Sequence, residues 1–304
     1  MRILVTGGAG FIGTFTCDQL RKNGHEIIIL DNLVTGSRKN VSSEDTLIIG
    51  DITDKKVYDT FTNEKIDVII HLAAQTSVPE SIIDPLNDQK QNIEGTLRIL
   101  QAAKELGVKR VIFASSAAVY GNNEKIPIVE TESLLPTSPY GISKMTCEKY
   151  IEVFCKSHNI DYIIFRFANV YGPKQTKDGE GGVIKIFIDK LLRDETPIIF
   201  GDGKQTRDFI FVEDIASAHV KGLSAPSGIY NLSSNTETTV NEIYTVISEG
   251  LNHIIKPSYA PPREGDIYRS CLSNKKAVEL MGWSLNYSIN SGLEFTIKAT
   301  NRQI

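Results

Sequence analysis

The sequence predicts an α/β fold in which a doubly wound parallel sheet is followed by a smaller C-terminal α/β lobe. Short apolar runs alternate with helical patterns along the first half of the chain, which is typical of a parallel sheet. A glycine-rich turn joins the first run to the first helix. Polar residues follow the runs, at the sheet edge where such folds bind ligands. The 304 residues are enough for two lobes. We place the first at 1–173, with later segments returning to it, and the second at 174–304.

The glycine-rich turn follows the first predicted strand, Ile3-Leu4-Val5. Its glycines are Gly7, Gly10 and Gly13, and the helical pattern behind them ends at Gly24. Backbone N–H groups in such a turn approach a diphosphate at the positive end of the helix. We therefore expect a dinucleotide site here, and the alternative is an ordinary strand-loop-helix turn.

The second predicted strand, 27–30, ends at Asp31. This acid follows the glycine turn at the spacing where a carboxylate binds the adenosine ribose hydroxyls of a dinucleotide in a Rossmann fold. Its charge repels a 2′-phosphate, so the sequence favours NAD over NADP.

Further predicted strands at 47–49, 67–71 and 110–114 also end at polar residues. Asp51 follows one of them and has two interpretations. It either binds the adenine amino group or caps the N-terminus of a helix.

Tyr140 and Lys144 are four residues apart, which places both side chains on one face of a helix. An ammonium one turn away lowers the pKa of a phenol from its usual value of about 10. The pair can therefore transfer protons, or it lies on an ordinary surface helix.

Two predicted helices, 92–106 and 143–157, carry more apolar residues than one buried face requires. The surplus is either buried within one chain or forms a four-helix interface in a two-fold homodimer.

Composition excludes several classes. The net charge is −4 and no basic stripe is present, so we expect no nucleic acid partner. No apolar run approaches the length of about 20 residues that spans a bilayer. The four cysteines and five histidines show no metal-ligand spacing, so no metal site is expected. The chain runs from Met1 straight into a strand, without room for a signal peptide, and we expect a cytoplasmic location with reduced thiols.

Nine motifs occur in order along nearly the whole chain: TGGAGFIG (6–13), DNL (31–33), GDI (50–52), HLAA (71–74), SSAAVYG (115–121), YGISK (140–144), RFANVYGP (166–173), GDG (201–203) and RD (207–208). With these motifs the chain resembles the extended short-chain dehydrogenase/reductase family, and within it the nucleotide-sugar epimerase branch, closest to UDP-hexose 4-epimerases. The resemblance implies 4-epimerisation of a UDP-hexose by transient hydride transfer to NAD.

The resemblance also implies the roles of individual residues. Tyr140 is the catalytic base, assisted by Lys144 and Ser116, and the adjacent Ser115 is expected to be structural. Besides Tyr140 and Lys144, the implied NAD-binding residues are Gly7, Gly10, Phe11, Ile12, Asp31, Asn32, Thr35, Gly36, Asp51, Ile52, Leu72, Ala73, Ala74, Gln75, Asn92, Phe167 and Ala168.

Two alanines separate this chain from the dehydratases of the family. Dehydratases carry an acid pair directly after the catalytic hydroxyl residue, where this chain has Ala117 and Ala118. Because alanine cannot protonate a departing hydroxyl, elimination is disfavoured. The alternatives to an epimerase are an NAD-dependent 4-keto-sugar reductase or dehydrogenase, and a nucleotide-sensing module without catalysis.

Substrate residues come from the second half of the chain. For the diphosphate the resemblance supplies Arg207 and Arg263, with Asn169 and Asp266 beside them, although a single arginine is more often a solvated surface charge. Ser116 and Tyr140 contact the sugar. We expect Val183, Ile184 and Phe200 to pack against the uracil. Ser270 either lines the pocket near carbon 2, where a small residue leaves room for an N-acetyl group, or points to solvent.

Overall fold

A seven-stranded parallel sheet organises the chain, as the sequence predicts. The structure is a computed structural model that describes residues 1–61, 64–176, 182–262 and 267–301. The sheet strands are β1 (Arg2–Thr6), β2 (Glu26–Asp31), β3 (Thr46–Ile49), β4 (Val68–His71), β5 (Arg110–Ser116), β6 (Asp161–Phe167) and the later β11 (Gly228–Leu232). Their order is β3-β2-β1-β4-β5-β6-β11, and every neighbouring pair is parallel. The order reverses between β1 and β4, which creates a crevice at the carboxyl ends of the strands.

Helices cover both faces of this sheet. On one face α1 (Phe11–Lys22) packs against α7 (Val212–Gly222), and on the other α4 (Gly95–Glu105) packs against α5 (Pro139–His158). The short helices α2 (Val78–Ile83) and α3 (Pro85–Gln89) lead through a π-helical turn, Lys90–Glu94, into α4. Successive residues of β1 enter opposite cores, Ile3 and Val5 on one face and Leu4 on the other, because side chains alternate along a strand.

The rest of the chain builds a second lobe around its own core. Its elements are β7 (Asn169–Tyr171), α6 (Val183–Leu191), β8 (Ile198–Phe200), β9 (Thr206–Arg207), β10 (Phe209–Phe211), β12 (Thr238–Thr239), α8 (Val240–Leu251), β13 (Ser258–Ala260) and α10 (Ile289–Asn301). Three two-stranded sheets join β7 to β10, β9 to β12 and β8 to β13. The core is formed mainly by α6, α8 and α10, through residues such as Phe187, Ile247 and Leu293. Between these elements the chain returns to the first lobe with α7, β11 and α9 (Lys275–Met281).

Neither a membrane-spanning helix nor a cluster of metal ligands occurs in the described ranges. Within them, no helix is long and apolar enough to cross a membrane. The same ranges contain no group of three or more His, Cys, Asp or Glu side chains that could hold a metal ion.

Candidate active site

The glycine turn between β1 and α1 leaves a helix N-terminus open to a ligand. Gly10 is the N-cap of α1 and has no side chain to cap the first-turn N–H groups. Gly7 adopts φ +71°, and a Cβ atom there would lie 2.8 Å from the backbone nitrogen of Ala73. A Cβ at Gly13 would lie 2.1 Å from the Gly7 carbonyl oxygen. The turn therefore requires glycine, and it presents Phe11 and Ile12 at the positive end of the helix.

Asp31 lies at the end of β2, beside this turn. One carboxylate oxygen accepts a hydrogen bond from the Ala9 N–H (3.0 Å) and the other from the Leu33 N–H (2.8 Å). Burial raises the pKa of Asp31, and these two hydrogen bonds only partly offset that increase. Each oxygen keeps a lone pair, so the fixed carboxylate can still accept hydrogen bonds from ribose hydroxyls.

Asp51 does not cap a helix, so that interpretation is wrong. Its carboxylate accepts hydrogen bonds from the Thr53 N–H (2.8 Å) and from the Asn32 side chain (3.0 Å). Burial raises the pKa of Asp51, but the bonds from Thr53 and Asn32 outweigh it and bring the pKa below its usual value. The following 3₁₀ helix, Lys55–Phe61, instead receives its cap from Asp54, which accepts from the Lys56 N–H (3.0 Å).

A buried chain of hydrogen bonds fixes the turn after β4. Burial, and then the Lys144 ammonium, lower the pKa of His71 to about 3, so its ring is neutral at pH 7. The Thr96 hydroxyl donates to the Asn92 carbonyl (2.6 Å), so its oxygen accepts from Nε2 of His71 (3.1 Å). Nδ1 of His71 then accepts from the Thr6 hydroxyl (2.7 Å), whose oxygen accepts from the Ala73 N–H (3.2 Å). These hydrogen bonds fix the backbone at Ala73, one of the residues predicted to bind the cofactor.

Asn92 ties the same turn to α5, the helix that carries Tyr140 and Lys144. Its amide oxygen accepts from the Gln75 N–H (2.9 Å), and its amide nitrogen lies 3.1 Å from the Ser143 hydroxyl oxygen. Asn92 is 2% exposed, so its side chain acts on the cofactor region mainly by ordering Gln75.

The three predicted catalytic residues lie at the carboxyl end of β5. Ser116 is the last residue of that strand, and Tyr140 lies in the first turn of α5. A Cβ at Gly141 would lie 2.7 Å from the Ala118 carbonyl oxygen, so the start of α5 packs directly on the turn that follows Ser116. The Lys144 ammonium donates to the Ala114 carbonyl (2.9 Å) and lies 5.8 Å from the centre of the Tyr140 ring.

A buried ion pair directly behind these residues was not predicted. Glu148, one turn after Lys144, binds the Arg166 guanidinium through both oxygens, at 2.9 and 2.6 Å. Ser115 donates to the same carboxylate (2.5 Å) and is structural, as expected. The exposed fractions of the Glu148 and Arg166 side chains are 0% and 2%. Their spacing in the sequence gives no signal for the pair, because β5, α5 and β6 meet only in the folded chain.

Three of the predicted substrate residues, Asn169, Arg207 and Ser270, lie on segments that are joined at Asp208. The Asp208 carbonyl accepts hydrogen bonds from the Asn169 N–H (2.9 Å) and side chain (3.1 Å). The Thr206 N–H donates to the Tyr268 carbonyl (2.9 Å), and the Leu272 N–H donates to the Asp208 carboxylate (3.2 Å). Ser270 is half-buried and lies between these two ties, in the stretch that runs alongside Arg207.

A cleft of about 450 Å³ adjoins this stretch, and Phe200 lines it. The other lining residues are Gly201, Asp202, Gln205, Ala260, Pro262, Ile267 and Tyr268.

Ile184, which we expected to pack against the uracil, does not line this cleft. It is 2% exposed and packs in the core of the second lobe, so the prediction that its side chain contacts the base is wrong. Val183 is partly buried against the same core. Arg263 and Asp266 lie outside the described residues.

Comparison with known proteins agrees with this architecture. The model of the NAD dependent epimerase/dehydratase family matches residues 3–233. This chain belongs to that family. It is 38% identical to the UDP-glucose 4-epimerase of Mycolicibacterium smegmatis in an alignment of 307 positions that covers 98% of each chain.

Two solved structures of high similarity extend the comparison. The UDP-glucose 4-epimerase of Thermotoga maritima, solved with UDP-glucose, superposes with a TM-score of 0.97 at 38% identity, over 100% of this chain and 99% of that one. The UDP-N-acetylglucosamine 4-epimerase of Methanobrevibacter ruminantium, in complex with UDP-N-acetylmuramic acid, gives a TM-score of 0.94 at 34% identity, over 100% and 99%. The NAD dependence and the fold expected from the sequence are those of this family.

Proposed function

We propose that the protein is an NAD-dependent 4-epimerase of UDP-hexoses, in which Tyr140 is the base. The observation that carries this proposal is the position of the anchored Tyr140–Lys144 pair, at the same sheet edge as the glycine turn for a dinucleotide. Membership in an epimerase/dehydratase family and similarity to UDP-glucose 4-epimerases support the substrate class.

The residues around the glycine turn fit NAD. The uncapped N-terminus of α1 suits a diphosphate, and the fixed carboxylate of Asp31 suits an unphosphorylated ribose. NAD held at this turn would supply a reversible hydride acceptor for carbon 4 of the sugar.

The chain itself moves the proton of the 4-hydroxyl group. Tyr140 as a phenolate accepts this proton, and the Lys144 ammonium stabilises the phenolate by its charge. Ser116 donates a hydrogen bond to the reacting oxygen as negative charge develops on it. The resulting 4-keto sugar turns about its diphosphate and presents its other face, and Tyr140 then returns the proton. Ala117 and Ala118 supply no acid for elimination of a hydroxyl group.

The second lobe binds the nucleotide and sets the accepted sugar. Arg207 and Asn169 serve the diphosphate, together with Arg263 and Asp266; Asn169 hydrogen-bonds to the carbonyl of Asp208, the residue after Arg207. Phe200 packs against the uracil in the cleft that it lines. Because Ser270 is small and half-buried, we infer that the enzyme accepts the N-acetylated pair as well as UDP-glucose and UDP-galactose. The similarity to an N-acetylglucosamine 4-epimerase supports this inference.

Incubation with UDP-galactose tests the function. We expect UDP-glucose to form without net change in NADH absorbance, since an epimerase returns every hydride. Stoichiometric accumulation of NADH would refute the epimerase and indicate a dehydrogenase.

The protein also has a surface suited to a homodimer, which we propose as its assembly. Exposed apolar side chains lie on α5, where Val153 is 67% exposed, and on α2 and α3, where Ile83 and Leu86 are 75% and 78% exposed. Leu97 on α4 is half-buried, so the exposed apolar surface lies nearer to 78–89 than to the predicted helix 92–106.

We also propose a cytoplasmic location. All four cysteines are buried and unpaired, which agrees with it.

A further inference from the structure

A buried carboxylate connects the two parts of the proposed substrate site. Asp208 has an exposed fraction of 0%. One of its oxygens accepts hydrogen bonds from the N–H and the hydroxyl of Ser234, both at 2.8 Å. The other accepts from the Leu272 N–H at 3.2 Å and contacts Sγ of Cys271 at 3.6 Å. These described partners are neutral groups, so the carboxylate is stabilised by directed hydrogen bonds rather than by a salt bridge among them.

These partners place the carboxylate between two segments that carry residues proposed to bind the substrate. Asp208 directly follows Arg207, the proposed diphosphate residue, and Cys271 directly follows Ser270, the proposed residue of the sugar pocket. On the other side of Ser270, Arg269 forms a bidentate ion pair with Glu237, at 3.0 and 2.6 Å, and Glu237 accepts from the Thr206 hydroxyl (2.5 Å). The segment 268–272 is thus tied to 206–208 at both ends.

The two ties differ in strength. The Arg269 side chain is 57% exposed, so its ion pair is screened by water and is worth little. Removing an acceptor from a fully buried site leaves donors without partners, which is costly. The Asp208 tie is therefore the stronger of the two side-chain ties, and it supplements the backbone hydrogen bond from Thr206 to Tyr268 in setting the spacing between Arg207 and Ser270.

We propose that Asp208 is a positioning residue for the nucleotide sugar: its carboxylate holds the segment that carries Ser270 against the strand that carries Arg207. This inference rests on the proposed function for the identity of the ligand. It predicts that loss of the carboxylate weakens nucleotide binding and raises KM, while kcat changes little, because Tyr140 and Lys144 are held by β5 and not by Asp208.

Asp214 offers a matched control in the same chain. It is also 0% exposed, and its carboxylate accepts from the Asn286 N–H (2.9 Å) and the Tyr287 N–H (3.3 Å). It ties residues 286–287 to α7, and none of the groups that it bonds belongs to a residue proposed for the substrate. Asp208→Asn and Asp214→Asn should therefore destabilise the fold in similar ways and differ in ligand binding.

Titration of the two variants with UDP in a calorimeter tests the proposal. We expect Asp208→Asn to weaken UDP binding by roughly tenfold and Asp214→Asn by less than about twofold. In the double variant Arg207→Ala/Asp208→Asn, the second substitution should add little, since Asp208 acts through Arg207. If Asp208→Asn does not fold, Ser234→Ala, which removes one of the hydrogen bonds, should weaken UDP by about threefold.

Three results would overturn the proposal: UDP affinity unchanged in Asp208→Asn, equal losses in the two aspartate variants, or full additivity with Arg207→Ala. UDP binding is measured without catalytic turnover, so this test is independent of the proposed reaction. A protein that binds UDP in this pattern but lacks 4-epimerase activity would refute the proposed reaction and support the positioning role.

Discussion

Substitution of Glu148 by Gln should destabilise the protein strongly, because it leaves the charge of Arg166 buried without its partner. The carboxylate accepts two hydrogen bonds from Arg166, at 2.9 and 2.6 Å, and one from Ser115 at 2.5 Å. Breaking a buried ion pair from one side costs about 3–5 kcal/mol. Arg166 keeps the Tyr120 hydroxyl (2.9 Å) and the Glu130 carbonyl (3.1 Å) as acceptors, so we expect a loss near the lower end, about 3 kcal/mol.

Urea denaturation, followed by the fluorescence of Trp283, measures this loss. Trp283 is the only tryptophan of the chain and is 1% exposed in the core of the first lobe. The control is Glu152→Gln on the same helix, which breaks an exposed pair with Lys149 and should cost less than about 1 kcal/mol. Equal losses in Glu148→Gln and Glu152→Gln would refute the reasoning. The double variant Glu148→Gln/Arg166→Met should regain stability relative to Glu148→Gln.

Four further predictions concern the site and the assembly. Tyr140→Phe should reduce turnover by about 10² to 10⁴ while NAD remains bound; wild-type turnover would exclude Tyr140 as the base. Asp31→Ala should weaken NAD binding and reduce the preference for NAD over NADP in binding titrations, and an unchanged preference would exclude Asp31 as its determinant. Ser270→Tyr should reduce kcat/KM for N-acetylated substrates by roughly tenfold and spare UDP-galactose, whereas equal losses would exclude Ser270 as the determinant. By light scattering, Val153→Glu should give monomers and the control Ile254→Glu, at an 84% exposed site of the other lobe, should remain dimeric; a dimeric Val153→Glu would place the interface elsewhere.

The sheet could be predicted from the sequence because its signals are local. The continuous apolar runs of β1, β2 and β4 can be recognised without knowledge of distant segments. Tyr140 and Lys144 are likewise related by one helical turn. Glu148 and Ser115 come from different elements, 33 residues apart, and only the packing of α5 on β5 brings them together.

The failed prediction for Ile184 had a signal that favoured the correct answer. Ile184, Phe187, Ile188 and Leu191 repeat at helical spacing, which is the pattern of a helix face directed into a core. The role of Asp208 had no such signal. Its partners Ser234 and Leu272 lie 26 and 64 residues away in the sequence, so the hydrogen bonds exist only in the folded protein.

The fate of the hydrogen at carbon 4 tests the central claim most directly. UDP-galactose that carries deuterium at this carbon is converted in ordinary water, and the UDP-glucose formed is examined by mass spectrometry and NMR. Transient hydride transfer within the site predicts that the deuterium is retained at carbon 4, while the proton handled by Tyr140 exchanges with solvent. Loss of the deuterium to water would contradict hydride transfer and require a different reaction at this carbon.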